Sequence, residues 1–329
     1  MNMAVVEYGV DINLLKGKVL SGGKITKDEA LELASSELDE LCRSADEIRE
    51  RFCGNAFDFC SIINGKSGGC TENCKFCSQS AHHNTDIAKY SLIGEGEAVE
   101  GARYNFDRGV GRFAIVTAGR AMNDAEIDEL CKNYESIGNH CGVFKCASHG
   151  LLRADQLTRL KNAGVRRYHS NLETSRNFFP QVCTTHSYDD KITTIKNARS
   201  AGLEVCSGGI FGIGETMEDR IDMALDLREL GVKSVPVNIL SPIPGTPLEN
   251  NEVLSNDEAR RIVAIYRFIL PDAMIRMAGG RGLLPDKGES VFRSGANAAT
   301  TGDLLTTTGT SINFDMALVK RLGYEAKFH

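Results

Sequence analysis

The amino-acid sequence predicts an α/β fold, a (βα)8 barrel of the TIM type with an N-terminal helical extension. Three observations predict it: eight short apolar runs have the composition of buried strands, longer amphipathic segments alternate with them, and glycines end several of those segments. Each repeat has the pattern of a strand followed by a helix. Eight such repeats predict a closed parallel barrel.

The eight predicted strands are apolar runs bounded by polar or turn-forming residues, as expected for strands that are buried on both faces. They cover residues 57–64, 112–117, 143–148, 166–171, 203–210, 234–239, 273–277 and 296–300. Long connections rather than tight turns join them. Neighbouring strands are therefore predicted to be parallel.

Five segments between these strands place their apolar residues at helical spacing, so that one face can pack against the barrel. They cover residues 124–137, 154–163, 189–201, 217–230 and 257–270. Gly164, Gly202 and Gly231 follow directly after three of them. Because glycine readily adopts the left-handed conformation that ends many helices, these positions predict helix C-termini.

The start of the chain has a different pattern. Thr26 precedes a helical segment with acidic residues in its first turn, and residues 44–52 have the charged pattern of a helix end. No Pro-rich linker or low-complexity tract separates them from the predicted barrel. We therefore predict a helical cap at residues 1–52, packed against one barrel domain at residues 53–329.

Composition and charge argue against several classes of function. The chain has 329 residues, with 38 Lys and Arg against 44 Asp and Glu, and no block of consecutive basic residues. This argues against nucleic-acid binding, which depends on phosphate neutralisation. No apolar run is long enough to span a membrane, and charges interrupt the segment where a signal peptide would be apolar. We expect a cytoplasmic protein that binds neither nucleic acid nor membranes.

Cysteine is the unusual component, with 11 residues. An odd number without a signal peptide favours metal or redox chemistry over a disulfide framework. Cys70, Cys74 and Cys77 form a C-x3-C-x2-C pattern after the first predicted strand. Three such thiolates can hold one face of a cubic iron–sulfur cluster and leave the fourth iron open. The alternative is a zinc site completed by His82 or His83, because structural zinc normally has four ligands.

This loop resembles the signature of the radical S-adenosylmethionine (SAM) superfamily. The resemblance implies that Cys70, Cys74 and Cys77 bind a 4Fe-4S cluster and that SAM chelates its open iron. It also implies that Phe76 lies beside the adenine. Reduction of the cluster would cleave SAM to methionine and a 5'-deoxyadenosyl radical.

Further motifs resemble the biotin synthase family over residues 51–324, in the same order along the chain. They are Ser67-Gly68-Gly69-Cys70, Asn171-Leu172-Glu173-Thr174-Ser175, Val205-Cys206-Ser207-Gly208-Gly209-Ile210, Gly212-Ile213-Gly214-Glu215-Thr216 and Ser234-Val235-Pro236-Val237-Asn238. The resemblance implies sulfur insertion into dethiobiotin through two rounds of SAM cleavage. An auxiliary iron–sulfur cluster inside the barrel would supply the sulfur.

One parity of the predicted strands carries polar and sulfur-containing side chains. Inward positions of such barrels are usually bulky and aliphatic, and buried polar groups without partners are costly. A bound ligand or cluster in the interior would explain these residues. They are Cys60, Cys146, His169, Asn171, Cys206, Ser234, Asn238 and Arg276.

One position departs from the biotin synthase pattern. The family usually has an auxiliary-cluster cysteine in the second strand, where this chain has Ala114. By the same resemblance Cys146 and Cys206 match auxiliary-cluster cysteines, and Arg276 matches the arginine of that site. We hypothesise an auxiliary cluster of four irons rather than two, bound by Cys60, Cys146 and Cys206 with Cys53 as fourth ligand. Cys42, Cys131, Cys141 and Cys183 fall in or near helical and loop patterns, and we expect them to be ordinary free cysteines that behave as small hydrophobic residues.

The resemblance also implies contacts to SAM and substrate. Asn171 and Glu173 match the pair at the adenosyl ribose, and Lys191 matches a basic residue that pairs with the methionyl carboxylate. Asn171 and Asn238 match groups that bond the ureido ring of dethiobiotin. His169 stands where the family often has asparagine, and with Arg276 it is expected to face the substrate.

The same resemblance implies a flavodoxin or ferredoxin as electron donor and a homodimer. Two other functions remain alternatives. One is another small-molecule radical SAM enzyme, a mutase or a maturase of a metallocofactor. The other is a zinc-stabilised scaffold or metal-delivery protein without turnover.

Overall fold

The computed structural model describes residues 11–302, 304–307 and 309–327, and its centre is a closed parallel barrel. Strands that are neighbours in the ring pair in parallel, and the last strand of the ring pairs with the first to close it. The predicted (βα)8 barrel is confirmed. The strands are β1 (Ala56–Lys66), β2 (Arg112–Thr117), β3 (Phe144–Ser148), β4 (Val165–His169), β5 (Glu204–Cys206), β6 (Gly209–Phe211), β7 (Ser234–Ile239), β8 (Met274–Met277), β9 (Ala298–Thr300) and β10 (Glu325–Ala326).

The fifth barrel position is interrupted, although the sequence predicts one strand over residues 203–210. Both β5 and β6 pair with β7, so together they fill one place in the ring. The interruption lies beside Pro236, which has no N–H to donate to a neighbouring strand. A Cβ at Gly208 would lie 2.0 Å from the carbonyl oxygen of Pro236, so only glycine fits there. The remaining short strand, β10, pairs with the start of β1 outside the ring.

Helices alternate with the strands, and all five predicted ones are present with small differences at their ends. Asn123, Ser187, Thr216 and Ser255 each cap a helix N-terminus with the side chain. The helices are α1 (Ile12–Leu20), α2 (Lys27–Ala34), α3 (Leu38–Cys53), α4 (Glu95–Phe106), α5 (Asp124–His140), α6 (Ala154–Asn162), α7 (Phe179–Val182), α8 (Tyr188–Ser200), α9 (Met217–Glu229), α10 (Asn256–Ile269), α11 (Glu289–Phe292) and α12 (Ile312–Arg321).

The N-terminal helices pack on one side of the barrel. Helix α3 lies along α10, and α2 contacts α9, where Lys27 pairs with Glu218 and Asp222. The division into a cap at residues 1–52 and a barrel at residues 53–329 remains a prediction, and residues 1–10, 303, 308, 328 and 329 of it lie outside the described residues. Among the described residues no helix is long and apolar enough to cross a membrane.

A buried histidine at the end of β3 should make stability fall in acid. His149 is fully buried, with Nδ1 3.0 Å from Thr117 Oγ1 and Nε2 2.9 Å from Tyr134 Oη. Burial lowers the pKa of His149 to about 3. In the unfolded chain this histidine has a pKa of about 6.5, so it binds a proton at pH values where the buried His149 of the folded protein stays neutral. The free energy of unfolding is therefore fully maintained above pH 6.5 and decreases as the pH falls below it.

We therefore expect the free energy of unfolding to fall by about 1 kcal/mol more for the wild type than for His149→Gln between pH 7 and pH 5.5. Urea unfolding of both proteins at both pH values measures this difference. The contributions of all other titratable groups are the same in the two proteins and therefore cancel. Equal pH dependence in the two proteins would contradict the prediction.

Candidate active site

A cavity of about 440 Å³ opens at the carboxyl ends of the barrel strands. Active sites of such barrels lie at this end, because the loops that follow the strands converge there. Of the predicted site residues, all but Cys53 line this one cavity. They are Cys60, Cys70, Cys74, Phe76, Cys77, Cys146, His169, Asn171, Glu173, Lys191, Cys206, Asn238 and Arg276.

The three-cysteine loop folds back on itself at the mouth of the cavity. Gly68 and Gly69 both have positive φ, 75° and 68°, which turns the chain sharply after β1. The backbone of Cys70 accepts from Ala81 N at 2.7 Å and donates to Gln79 O at 3.0 Å. Cys77 N donates to Cys74 O at 3.0 Å. These bonds hold the loop in a fixed fold, in which all three thiols and Phe76 line the cavity.

Three further thiols lie on strands of the barrel interior. Cys60, Cys146 and Cys206 all line the cavity, and Ser234 Oγ donates to Cys206 Sγ at 3.2 Å. Ala114, directly opposite Cys146 in the ladder of β2 and β3, also lines the cavity. The inward parity that the sequence suggested therefore places Cys60, Cys146 and Cys206 around one space.

Buried charges lie beside these thiols, and positive charge is in excess. Asp58 is fully buried and accepts from Arg276 at 2.8 Å, Arg112 at 3.1 Å and Arg167 at 3.4 Å. Arg167 also pairs with the half-exposed Glu204 at 2.8 Å. Both terminal nitrogens of Arg112 are buried without a hydrogen-bond partner among the described residues. Three guanidinium groups thus face a single buried carboxylate.

This charge arrangement shifts the pKa values of the acidic groups. Burial alone would raise the pKa of Asp58, but Arg276, Arg112 and Arg167 hold it below its ordinary value. Burial also opposes ionisation of Cys206, yet a hydrogen bond from His169 and the charges of Arg276 and Arg167 lower the pKa of this thiol to about 6. The chemistry of the site therefore favours a thiolate.

His169 is the partner that stabilises this thiolate. Burial would lower the pKa of His169, but its hydrogen bond with Cys206 raises it. The two strands are in register at this pair. His169 is thus engaged with a thiol of the interior, in addition to its place in the cavity wall.

Two amides and a carboxylate lie nearer the mouth. Asn171 Nδ2 donates to Glu173 Oε2 at 3.2 Å, and Asn171 Oδ1 accepts from Gly208 N at 3.1 Å. Glu173 has φ 73°, a strained conformation for a residue other than glycine, and backbone bonds to Gly208 and Ile210 hold it there. Asn238 bridges Gly209 O and Gly279 N at 2.9 Å each. The polar groups of the mouth are therefore fixed in place.

Phe76 and Lys191 complete this end of the cavity. Phe76 packs against an apolar cluster that includes Val182, Ile213 and Leu240. Lys191 is half-buried in the first turn of α8, with its side chain in the cavity wall. An aromatic face and a cation thus flank the thiol loop.

Cys53 does not join the other proposed ligands. It is the last residue of α3, and its thiol lies 3.4 Å from Arg267 Nη1, next to the carbonyl oxygens of Pro271 and Ala273. Arg267 belongs to α10, outside the barrel ring. We therefore remove Cys53 from the hypothesised ligand set, because its side chain is held among the surrounding helices.

Two residues that the sequence analysis did not identify lie against the thiol loop. The ligand atoms of Cys74, Cys183 and His186 lie within 4.8 Å of one another. His186 Nδ1 contacts both Cys183 Sγ, at 3.2 Å, and the carboxylate of Glu72. The spacing of Cys183 and His186, three residues apart, was the available signal, since such pairs often act together at metal sites.

Comparisons with known families divide the chain into two matched regions. Residues 66–227 match the radical SAM superfamily. Residues 236–325 match the Biotin and Thiamin Synthesis associated domain. Both regions contribute residues to the cavity, since the first carries the thiol loop and the second carries Asn238 and Arg276.

Solved structures with the same fold include a methylornithine synthase, with a TM-score of 0.83 and 20% identity over 95% of this chain and 97% of that one. The FeFe-hydrogenase maturase HydG from Carboxydothermus hydrogenoformans has a TM-score of 0.81 and 17% identity, over 97% of this chain and 79% of that one. Identities this low show a shared fold.

Curated relatives are much more similar. A biotin synthase from Clostridium botulinum (strain Hall) is 56% identical over 310 residues, which cover 94% of this chain and 98% of the relative. A biotin synthase from Akkermansia muciniphila is 54% identical, over 95% of this chain and 98% of the relative. With the radical SAM match and the thiol-lined cavity, these identities show that the chain belongs to the biotin synthase family.

Proposed function

We propose that this radical SAM enzyme converts dethiobiotin to biotin in the cavity at the carboxyl ends of its barrel strands. The observation that carries the proposal is that two groups of three thiols line this cavity, in a chain 56% and 54% identical to two curated biotin synthases over nearly its full length. Sulfur insertion at unactivated carbon needs a radical source and a sulfur source. The two thiol groups offer a site for each.

The loop thiols Cys70, Cys74 and Cys77 are proposed to hold the 4Fe-4S cluster. When bound, this cluster supplies the electron that cleaves SAM and so generates the radical that removes hydrogen from the substrate. Three thiols in a small polar loop fit such a group, because the fourth iron remains open to SAM. Membership of the family implies both the cluster and SAM.

Phe76, Asn171, Glu173 and Lys191 are proposed to bind SAM. The rigid Glu173 carboxylate can accept hydrogen bonds from ribose hydroxyls, and the Phe76 ring offers a face for the adenine. Lys191 provides a point charge for the methionyl carboxylate. Their common location beside the thiol loop supports these roles.

Cys60, Cys146 and Cys206 are proposed to hold the auxiliary cluster. The observation that fits them to an anionic group is the excess of buried positive charge: three arginines against Asp58, with two Arg112 nitrogens unpaired. Buried charge is costly unless it is compensated, and thiolates with a cluster would compensate it. We retain four irons as the proposed nuclearity, because three thiols, here on β1, β3 and β5, can hold one face of a cubic four-iron cluster.

Dethiobiotin is proposed to lie between the two thiol groups. Asn171 and Asn238 each retain hydrogen-bonding capacity beyond their backbone bonds, which suits the ureido ring. His169 and Arg276 line the same cavity. Because Arg276 is already bonded to Asp58 and to Ala299 O, its proposed role is to set the charge of the pocket.

A mutase or a metallocofactor maturase is not favoured. The similar structures, a methylornithine synthase and a hydrogenase maturase, are 20% identical or less, which supports the fold alone. The curated relatives at 54% and 56% identity are biotin synthases. The interior thiols favour a sulfur-donating enzyme.

Anaerobic incubation with a reductant, SAM and dethiobiotin tests the proposal. We expect biotin and an excess of 5'-deoxyadenosine by mass spectrometry, because two rounds of SAM cleavage are needed, and neither product when the reductant is omitted. Deoxyadenosine without biotin would favour the mutase or maturase alternative. A colourless protein without iron would favour the zinc scaffold, since zinc sites do not absorb visible light.

Other parts of the proposed function rest on the family resemblance. We propose a flavodoxin or a ferredoxin as the reductant in the cell, a homodimer as the assembly, and the cytoplasm as the location. The net charge of −6 supports the expectation that nucleic acid is not a partner.

A further inference from the structure

The segment that follows α7 is docked on the three-cysteine loop. Asn73 Nδ2 donates to Thr184 Oγ1 at 2.7 Å, and Asn73 Oδ1 accepts from Thr184 N at 3.0 Å. Lys75 N donates to Val182 O at 3.0 Å. These bonds join positions more than one hundred residues apart in the chain. The docking therefore holds the residues on both sides of Thr184 against the loop.

Three side chains that can bind a metal meet where the two segments touch. The ligand atoms of Cys74, Cys183 and His186 lie within 4.8 Å of one another, and Cys183 Sγ is 3.2 Å from His186 Nδ1. Ligands at about 2.0–2.3 Å from one tetrahedral zinc ion lie about 3.3–3.8 Å from one another. The three side chains therefore need only small movements to share one ion.

A fourth donor lies beside them. The carboxylate of Glu72 contacts His186 Nδ1 and accepts from Thr185 Oγ1 at 2.8 Å. The side chains of Glu72 and His186 are only 8% and 4% exposed, and with Cys74 they line the cavity. A metal ion that enters the cavity thus reaches four protein ligands in a shielded place, and four is the number that structural zinc normally has.

The kinds of donor atom select the metal. Magnesium and calcium prefer oxygen ligands, whereas thiolate and imidazole together suit zinc. Cys183 and His186 lie three residues apart, so one short stretch of chain supplies two of the ligands. On binding, the thiols ligate as thiolates and release their protons to the solvent.

We propose that the protein binds a zinc ion when it lacks iron, and that this ion excludes the 4Fe-4S cluster. The zinc ligands are Cys74, Cys183, His186 and Glu72. A thiolate that completes a tetrahedral zinc site is not available to the cluster, so zinc and the cluster compete for Cys74. The competition rests on the proposed function, in which Cys74 is a ligand of the cluster, but the zinc site does not. Zinc therefore keeps the iron-free protein inactive until cluster assembly displaces it.

The test uses the full chain without its interior thiols, so that only the loop cluster can form. The background variant is Cys60→Ala/Cys146→Ala/Cys206→Ala, freed of iron with a chelator under anaerobic conditions. Three changes are made in it separately: the double variants Cys183→Ala/His186→Ala and Cys70→Ala/Cys77→Ala, and the control Cys131→Ala on α5. Competition with a coloured chelator measures zinc affinity. Cobalt reports the geometry, because its tetrahedral thiolate complexes are intensely coloured, and circular dichroism checks the fold of each variant.

We expect the background to bind one zinc ion and Cys183→Ala/His186→Ala to bind it more than about a hundred-fold more weakly, since losing a partner of one ligand already costs about 10–100-fold. Cys70→Ala/Cys77→Ala and Cys131→Ala should leave the affinity unchanged. Equal affinity in Cys183→Ala/His186→Ala and the background would overturn the inference. A loss confined to Cys70→Ala/Cys77→Ala would also overturn it, by showing that the three-cysteine loop alone holds the zinc.

Cluster assembly tests the competition. With iron and sulfide, the iron-free background should rebuild a brown 4Fe-4S cluster, and an equimolar amount of zinc added first should prevent this until a chelator removes it. In Cys183→Ala/His186→Ala the same zinc should have little effect. A background that holds zinc and the cluster together would overturn the competition while the proposed function stands. A background that binds zinc but never rebuilds a cluster would instead refute the assignment of Cys70, Cys74 and Cys77, and only the zinc site would remain.

Discussion

Replacement of Cys70, Cys74 and Cys77 together by alanine should reduce SAM cleavage to background while iron and sulfide remain bound to the chain. The three loop thiols are the proposed ligands of the cluster that reduces SAM, so without them no electron reaches the sulfonium. Cys60, Cys146 and Cys206 lie on barrel strands and remain intact. Anaerobic incubation with SAM and reductant, followed by mass spectrometry for 5'-deoxyadenosine, measures the first effect, and iron and sulfide analysis measures the second.

Two further variants complete this test. Cys131→Ala/Cys141→Ala removes two half-buried thiols at and after α5 and should keep both the iron content and the cleavage activity. Adding Cys60→Ala, Cys146→Ala and Cys206→Ala to the triple variant should leave a colourless protein. A triple variant that is already colourless would contradict the proposed auxiliary cluster. A triple variant that still cleaves SAM would contradict the proposed ligands.

Most of the barrel could be predicted, because parallel strands buried on both faces leave a strong apolar signal. The predicted bounds 112–117 and 234–239 agree with those of β2 and β7. The break between β5 and β6 could not be predicted, since it depends on which residue of a neighbouring strand stands beside Gly208. Helix α4 was missed because its buried residues are only Ala98 and Ala102, and because its N-cap, Gly94, has no capping side chain.

The interior of the site was predictable for a similar reason. Residues two apart in a strand point to the same side, so the parity of Cys60 and Arg276 in their strands could be read along the chain. Cys53 could not be placed in this way. It lies seven residues before Cys60, but between them the chain passes from an outer helix into the barrel wall, so separation along the chain says nothing about distance between the thiols.

The contact of Cys183 and His186 with the thiol loop could not be predicted from the sequence. Their contact with the thiol loop depends on Asn73, Thr184 and the main chain of Val182, which are brought together only by the closed barrel. The spacing of Cys183 and His186 could mark them as a pair, but no local pattern shows that this pair meets the thiol loop. The buried charges are an intermediate case: Asp58 shares the parity of Cys60, yet only the structure shows that three arginines converge on it.

Replacement of Asp58 by asparagine should destabilise the protein by about 3–5 kcal/mol, because it leaves three buried guanidinium groups without their common carboxylate. Asparagine has nearly the same shape, so packing is little changed and the effect is one of charge. Urea unfolding measures it. Asp272→Asn is the matched control: Asp272 pairs with Lys233 at the surface and is half-exposed, so its loss should cost less than about 1 kcal/mol.

The size of the Asp58→Asn effect should depend on the auxiliary cluster. An anionic group bound by Cys60, Cys146 and Cys206 would offset part of the surplus positive charge, so the loss should be smaller in the iron-loaded protein than after the iron is removed. Adding Arg112→Met should recover part of the stability in the iron-free protein, because it removes one of the unpaired cations. An equal loss of unfolding free energy with and without iron would indicate that the arginines do not interact with the cluster. The charge argument for the location of the cluster would then fail.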